Sequence, residues 1–152
     1  YPGLLAYSGD VQRAARLQAS SFAMWNLKGI EPEIYDYRAK KIAYGGYPLR
    51  PEIVESTWYL YRATGDRKYL AMGRRLFEDF VKHCRTEAGY AAIKDVRTMQ
   101  QDDDMESFVL AETFKYFYLL FAPKSTLDLD HVVLNTEAHP LRLPAEAKAG
   151  AH

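Results

Sequence analysis

YPLRPEIVESTWYLYRATGD, Tyr47 to Asp66, packs two prolines, two arginines, three carboxylates and an aromatic-rich apolar stripe into one short run. Pro51 suits the first position of a helix, where its missing N–H costs nothing and its fixed φ is already helical. Gly65 supplies a stop signal, and Asp66 can cap a helix that follows. Glu52 then falls in the first turn, where the positive end of the helix dipole favours a carboxylate. Glu55 and Ser56 share its face, while Ile53, Val54, Thr57, Trp58 and Tyr61 form the apolar side. The run reads as a buried helix with an ionised carboxylate pair at its mouth and Arg50 beside it. Acidic first turns are as ordinary in solvated helix starts, so spacing alone leaves both readings open.

Working outward, the Thr64-Gly65-Asp66 link is short enough to fold the next helix back antiparallel. That helix runs to about His83, with Leu70, Gly73, Phe77, Phe80, Val81 and Cys84 in helical period. Upstream, Ser8-Gly9-Asp10 opens a helix whose stripe is Val11, Ala14, Ala15, Gln18, Phe22 and Trp25, and Gly29 ends it. Pro32 marks a turn, after which Ile34, Tyr35 and Tyr37 can pair with Ile42 and Tyr44 around Arg38 to Lys41. Downstream, Gly89-Tyr90 leads a short extended segment to Val96. Asp102-Asp103-Asp104 precedes a third helix, Met105 to Phe121, stopped by Pro123. A turn at Lys124 to Thr126 leads to a strand near His131 to Leu134. The stretch after Pro144, AEAKAGAH, reads as a frayed or appended tail. Long helices alternate with short hairpins, so the fold class is all-α, a toroid of paired helices with hairpins crowding one rim. Residues 1–144 belong to one unit and 145–152 to the tail.

Composition narrows the function. Twenty acidic and twenty basic residues in 152 leave a formal charge of zero with no basic block, which speaks against a nucleic-acid partner. The longest apolar run, Tyr116 to Ala122, is too short to span a bilayer. Tyr1 to Asp10 lacks the basic start and long apolar core of a signal peptide. Cys84 is the lone cysteine; its place on an apolar stripe makes a buried thiol the default, with a bridge to another chain segment left open. His83, His131 and His139 have no ligand spacing, and Asp102 to Asp104 read as acids before a helix start rather than a metal site.

Two further constellations carry chemistry. Met105, Phe108, Glu112 and Lys115 recur at helical spacing along one face. An aromatic ring one turn from a carboxylate can support a sugar face while the carboxylate accepts hydroxyl hydrogen bonds. Phe108 as core, with Glu112 paired to Lys115 on the surface, fits the spacing too. In Asn135-Thr136-Glu137-Ala138-His139, a threonine can offer its carbonyl and hydroxyl oxygens to one hard cation such as calcium.

Taken together, LRPE..ES..YLYR.TGD, MESF..AET.KY..LLF and NTEAHP resemble the glycoside hydrolase family 47 α-1,2-mannosidases, which include the ER degradation-enhancing mannosidase-like proteins. The resemblance implies an (α/α)7 barrel of which this sequence covers roughly the last third. It implies calcium-dependent, inverting hydrolysis of terminal α-1,2-linked mannose on high-mannose N-glycans. Glu52 matches the family's general base, Glu33 its carboxylate upstream of that base, and Thr136 its calcium ligand. Arg50, Glu55, Phe108, Glu112 and Glu137 would line the sugar pocket. The remaining catalytic carboxylates lie earlier in such barrels, so these residues alone are expected to be inactive without the N-terminal part of the barrel.

AAIKDVRT followed by an acidic loop is similar to the ER degradation-enhancing branch. That likeness implies misfolded glycoproteins as substrates, the ER lumen as the compartment and a protein disulfide isomerase as a partner. One departure is Ala88, where that branch often has a cysteine. Three rivals stay in play: a glycan-binding module that keeps Arg50, Phe108 and Thr136 without turnover, an enzyme for another sugar, and a purely structural helical domain.

Overall fold

The computed structural model describes residues 1–144. The expected tail, 145–152, lies outside the described residues. Among the described residues, five α-helices form the body: α1 (Pro2–Tyr7), α2 (Val11–Trp25), α3 (Glu52–Thr64), α4 (Lys68–Cys84) and α5 (Phe114–Phe121). Between and after them come three antiparallel hairpins: β1 (Ile34–Asp36) with β2 (Lys41–Tyr44), β3 (Ile93–Asp95) with β4 (Gln100–Gln101), and β5 (Val132–Leu134) with β6 (Pro140–Arg142).

The quoted run does form the central helix. Pro51 stands one place outside it, so Glu52 is the first helical residue, and Gly65 closes it at φ 68, a left-handed geometry that suits glycine. Asp66 then accepts from the Lys68 N–H at 2.9 Å and turns the chain into α4. α3 packs against α1, α2, α4 and α5. Of its expected apolar side, Ile53, Val54, Thr57 and Trp58 are buried and Tyr61 is half-buried, but Ser56 is buried too. The reason is α1, which the sequence reading missed: Gly3 N–H donates to Ser56 Oγ at 3.0 Å on that face. This helix has six residues and no side-chain cap, so it leaves little pattern to read.

Polar clamps tie the outer helices to α3 and to each other. Gln18, fully buried on α2, donates to the Ile53 carbonyl at 3.1 Å and to Thr57 Oγ1 at 2.8 Å. Asp79 on α4 accepts from Trp25 Nε1 at 3.1 Å and from Arg75 Nε at 2.6 Å. The buried face of α4 is Tyr69, Gly73, Leu76, Asp79, Phe80 and Cys84. Phe77 falls at its edge and stays 37% exposed, so it does not join the core stripe expected of it. Gly73 lets α4 approach α5, because a Cβ there would overlap Leu120 Cδ2. Burial pushes the Cys84 thiol up to about 12, which fits a packed side chain.

The third helix departs most from expectation. It does not begin at Met105, which is 42% exposed and precedes it. The reason is backbone pairing: Ala92 N–H donates to the Asp104 carbonyl and Asp102 N–H to the Ala92 carbonyl, at 2.9 and 2.8 Å. These bonds hold the acidic stretch extended beside β3. The helix opens instead with a π-helical turn, Val109–Thr113, before α5. That wider turn shifts the phase, so Met105, Phe108, Glu112 and Lys115 do not form one continuous α-helical face. Among the described residues, no helix is long and apolar enough to cross a membrane.

Candidate active site

The mouth of α3 is built on a strained residue. Leu49 is fully buried at φ 64, a left-handed conformation that is costly for a side chain with a Cβ. Its carbonyl accepts from Thr113 Oγ1 at 2.8 Å. The π turn thus holds the backbone that presents Arg50. Arg50 in turn forks onto Glu33, with Nη2 to Oε1 at 2.7 Å and Nε to Oε2 at 3.2 Å. The guanidinium stands 5.8 Å from the Phe108 ring centroid. Glu33 is itself fixed through its N–H, which donates to the Gly46 carbonyl at 2.8 Å. Three separate segments therefore converge as Glu33, Arg50 and Phe108.

Beside this stack lies a cavity of about 360 Å³ lined by Met24, Glu31, Pro32, Glu33, Arg50 and Glu52. Glu52 is exposed at its edge, and no hydrogen bond holds its carboxylate among the described residues. Glu31 is half-buried. Burial above all, then the charges of Glu52 and Glu33, push its carboxyl up to about 8, and Arg50 only partly offsets them.

Further along the same side, Glu55 accepts from the Tyr116 hydroxyl at 3.1 Å. Burial raises the Glu55 carboxyl above the usual range, and the Tyr116 bond opposes the rise. Glu112, on the π turn, is raised by burial first and then by the charges of Glu137, Glu55 and Glu52, with Lys115 opposing. Carboxylates from α3, the π turn and the turn after β5 therefore lie within one another's electrostatic field. Lys115 does not pair with Glu112 through a hydrogen bond. Its ammonium donates to the Ala138 carbonyl at 2.7 Å.

That turn after β5 is tightly organised. Asn135 Oδ1 accepts from the Glu137 and His139 N–H groups at 3.0 and 2.8 Å, and Ala138 is fully buried at φ 54. The arrangement leaves Thr136 and Glu137 exposed. Thr136 lines a cavity of about 280 Å³ together with Glu55 and Tyr59. Its carbonyl and hydroxyl oxygens accept no hydrogen bond among the described residues. The donor set suits a hard cation: two free threonine oxygens, with mutually repelling carboxylates nearby whose field a positive charge would relieve. Among the described residues, no group of three or more His, Cys, Asp or Glu could hold a metal ion. A calcium ion at Thr136 would thus keep most of its shell as water, as the chemistry of a two-oxygen donor requires.

Sequence reasoning missed Glu31 and Thr113, and it named Lys115 without its partner, the Ala138 carbonyl. Glu31 left a readable signal, since it sits across Pro32 from Glu33 on the same approach to the helix. Thr113 and Lys115 act through backbone carbonyls of distant left-handed residues, which no spacing rule reveals.

The chain has clear relatives. The model described as glycosyl hydrolase family 47 matches residues 1–143. ER degradation-enhancing alpha-mannosidase-like protein 3 of Homo sapiens is 42% identical over 147 residues, covering 94% of this chain and 16% of that protein. A mannosyl-oligosaccharide 1,2-alpha-mannosidase of Arabidopsis thaliana is 54% identical over 97 residues, covering 64% of this chain and 17% of that protein. Among solved structures, an alpha-1,2-mannosidase from Trichoderma reesei superposes with a TM-score of 0.78 at 27% identity, over 94% of this chain and 37% of that one. The chain spans less than a fifth of each of the two curated relatives. Its helices and rim hairpins correspond to part of the (α/α)7 barrel of that neighbour.

Proposed function

We propose that this chain, which belongs to glycosyl hydrolase family 47, supplies the general base, part of the sugar pocket and the calcium ligand of an α-1,2-mannosidase. The substrate is a high-mannose N-glycan, and the bond broken is that of a terminal α-1,2-linked mannose. The convergence of Glu52, Glu55, Glu112 and Glu137 from separate elements carries this reading, because sugar hydroxyls and an attacking water need such acceptors on one side of a pocket.

In an inverting mechanism one carboxyl protonates the leaving oxygen while another takes a proton from water on the opposite face, the two standing about 6.5–9.5 Å apart. Glu52 is the base here. Its carboxylate stands in the first turn of α3, exposed and held by no hydrogen bond among the described residues, where a water can reach it. Phe108 offers an apolar face to the sugar ring. The Glu33–Arg50 fork gives that end of the pocket a fixed polar wall, since a bidentate pair resists rotation. Glu55, Glu112 and Glu137 accept hydroxyl hydrogen bonds. Thr136 would hold calcium through its two free oxygens, and the bound ion would orient sugar hydroxyls and water as a Lewis acid.

The group that protonates the leaving oxygen comes from the N-terminal part of the barrel, so the 152-residue chain by itself is inactive. Misfolded glycoproteins in the ER lumen as natural substrates, with a protein disulfide isomerase as partner, belong to the same reading. The similarity to ER degradation-enhancing mannosidase-like proteins supports it.

The test is mannose release from α-1,2-mannobiose by the full-length protein that carries this chain. Release is expected to stop with EDTA and to return with calcium. Mannoside binding without release would favour a glycan-binding module instead. Release indifferent to EDTA would remove the metal from the account.

A further inference from the structure

Glu31 and Glu52 line one cavity from different elements, and neither carboxyl has a hydrogen-bond partner among the described residues. Glu33, the other acid of that cavity, is fully engaged by Arg50. We infer that Glu31 is a positioning residue for this site: across the cavity the two share, its carboxyl donates a hydrogen bond through one water to the Glu52 carboxylate and so aims the base. The inference rests on the reading of Glu52 as the general base.

The surroundings of Glu31 favour the protonated form. The groups acting on it are Glu52 from α3, Glu33 from its own segment, Arg50 from the approach to α3, and the buried Tyr47 phenol from the chain after β2. Arg50 is the one cation among them, and its fork is turned to Glu33 through Nε and Nη2. Tyr47 is itself held neutral: burial, then the charges of Glu31, Cys84 and Glu52, push it well above its usual range. Its hydroxyl donates to the Arg50 carbonyl at 3.3 Å. Two carboxyls that share one cavity repel each other when both are ionised, so the more enclosed one keeps its proton. Glu31 is the more enclosed, and its carboxyl is pushed up to about 8. A proton-bearing carboxyl next to a base is a donor that locks the base's rotamer.

The experiment measures α-1,2-mannobiose hydrolysis by the full-length protein from pH 5 to 9, with wild type, Glu31→Ala and Glu31→Gln. Glu31→Ala is expected to lower kcat/KM about tenfold through kcat, the size of one lost hydrogen bond to a charged group. Glu31→Gln keeps a donor and is expected to recover most of that loss. Wild-type activity, relative to Glu31→Gln, falls as pH rises through about 8, because ionised Glu31 can no longer donate. Glu31→Ala equal to wild type at every pH, or wild type and Glu31→Gln with superimposable alkaline limbs, would overturn the inference. If Glu31→Ala does not fold, the comparison of wild type with Glu31→Gln still decides it. A wild type that releases mannose while Glu52→Gln is equally active would sink the parent reading and this one with it. Superimposable limbs with an inactive Glu52→Gln would sink this one alone.

Discussion

The Lys115 ammonium lies 2.7 Å from the Ala138 carbonyl, so one side chain of α5 holds the turn that carries Thr136 and Glu137. Two residues away, Thr113 grips the Leu49 carbonyl in the same manner at 2.8 Å. Both gripped residues are buried, non-glycine and left-handed, at φ 54 and φ 64. The helix with the π turn thus pins two strained loops at the pocket rim, a cost of about 1–3 kcal/mol for each left-handed residue that neighbouring contacts must offset.

Lys115→Met keeps the length and apolar stem of the side chain but removes the donor. The turn loosens, and calcium affinity at Thr136 is expected to fall about tenfold or more, as when a group that orients a metal ligand is lost. Calorimetric calcium titration of the full-length protein checks this. Unchanged affinity would mean that the turn holds its shape without Lys115.

Arg50→Lys retains the charge and discards the fork. A single ammonium cannot reproduce both bonds to Glu33 or lie flat near Phe108. A loss of about 10–100-fold in kcat/KM is expected, the range for charge-assisted bonds. Steady-state kinetics on the disaccharide would show it.

These two positions also mark how far the sequence could be read. Gly65 and the acidic turn beside Pro51 announced α3 correctly because capping chemistry is local. Arg50, Glu33 and Phe108 could be nominated from motifs, yet their stacking follows from three distant segments meeting. The π turn was hidden because Met105 to Phe121 has ordinary helical periodicity. The backbone bonds from Asp102 and Asp104 to Ala92 delay its start, and such pairing leaves no mark on composition. α1 and β6 were missed for a similar reason: each is short and is stabilised by what it packs or pairs against.

Asp79→Ala removes an acceptor that Trp25 and Arg75 share. Trp25 is 1% exposed, so its indole N–H would be left buried and unpaired. A loss of about 2–4 kcal/mol in stability is expected. Denaturant melts would report it as a lower midpoint with little change in slope.

Glu31 also writes itself into stability against pH. Its carboxyl moves from 4.5 in the open chain to about 8 in the folded one. Below the first value both states hold the proton, and above the second neither does. Between them the folded state binds more protons, so stability falls as pH rises, by on the order of 5 kcal/mol across the window. Glu31→Gln should remove that slope and raise Tm at pH 8 relative to wild type. A variant whose Tm tracks wild type from pH 5 to 8 would contradict the burial argument.

The sharpest measurement is mannose release by the full-length protein with Glu52→Gln, run beside calcium binding by the same variant. Loss of the base is expected to cut kcat by about 10²–10⁴-fold while calcium still binds at Thr136. Turnover at the wild-type rate in Glu52→Gln would show that the carboxylate at the mouth of α3 does not activate water.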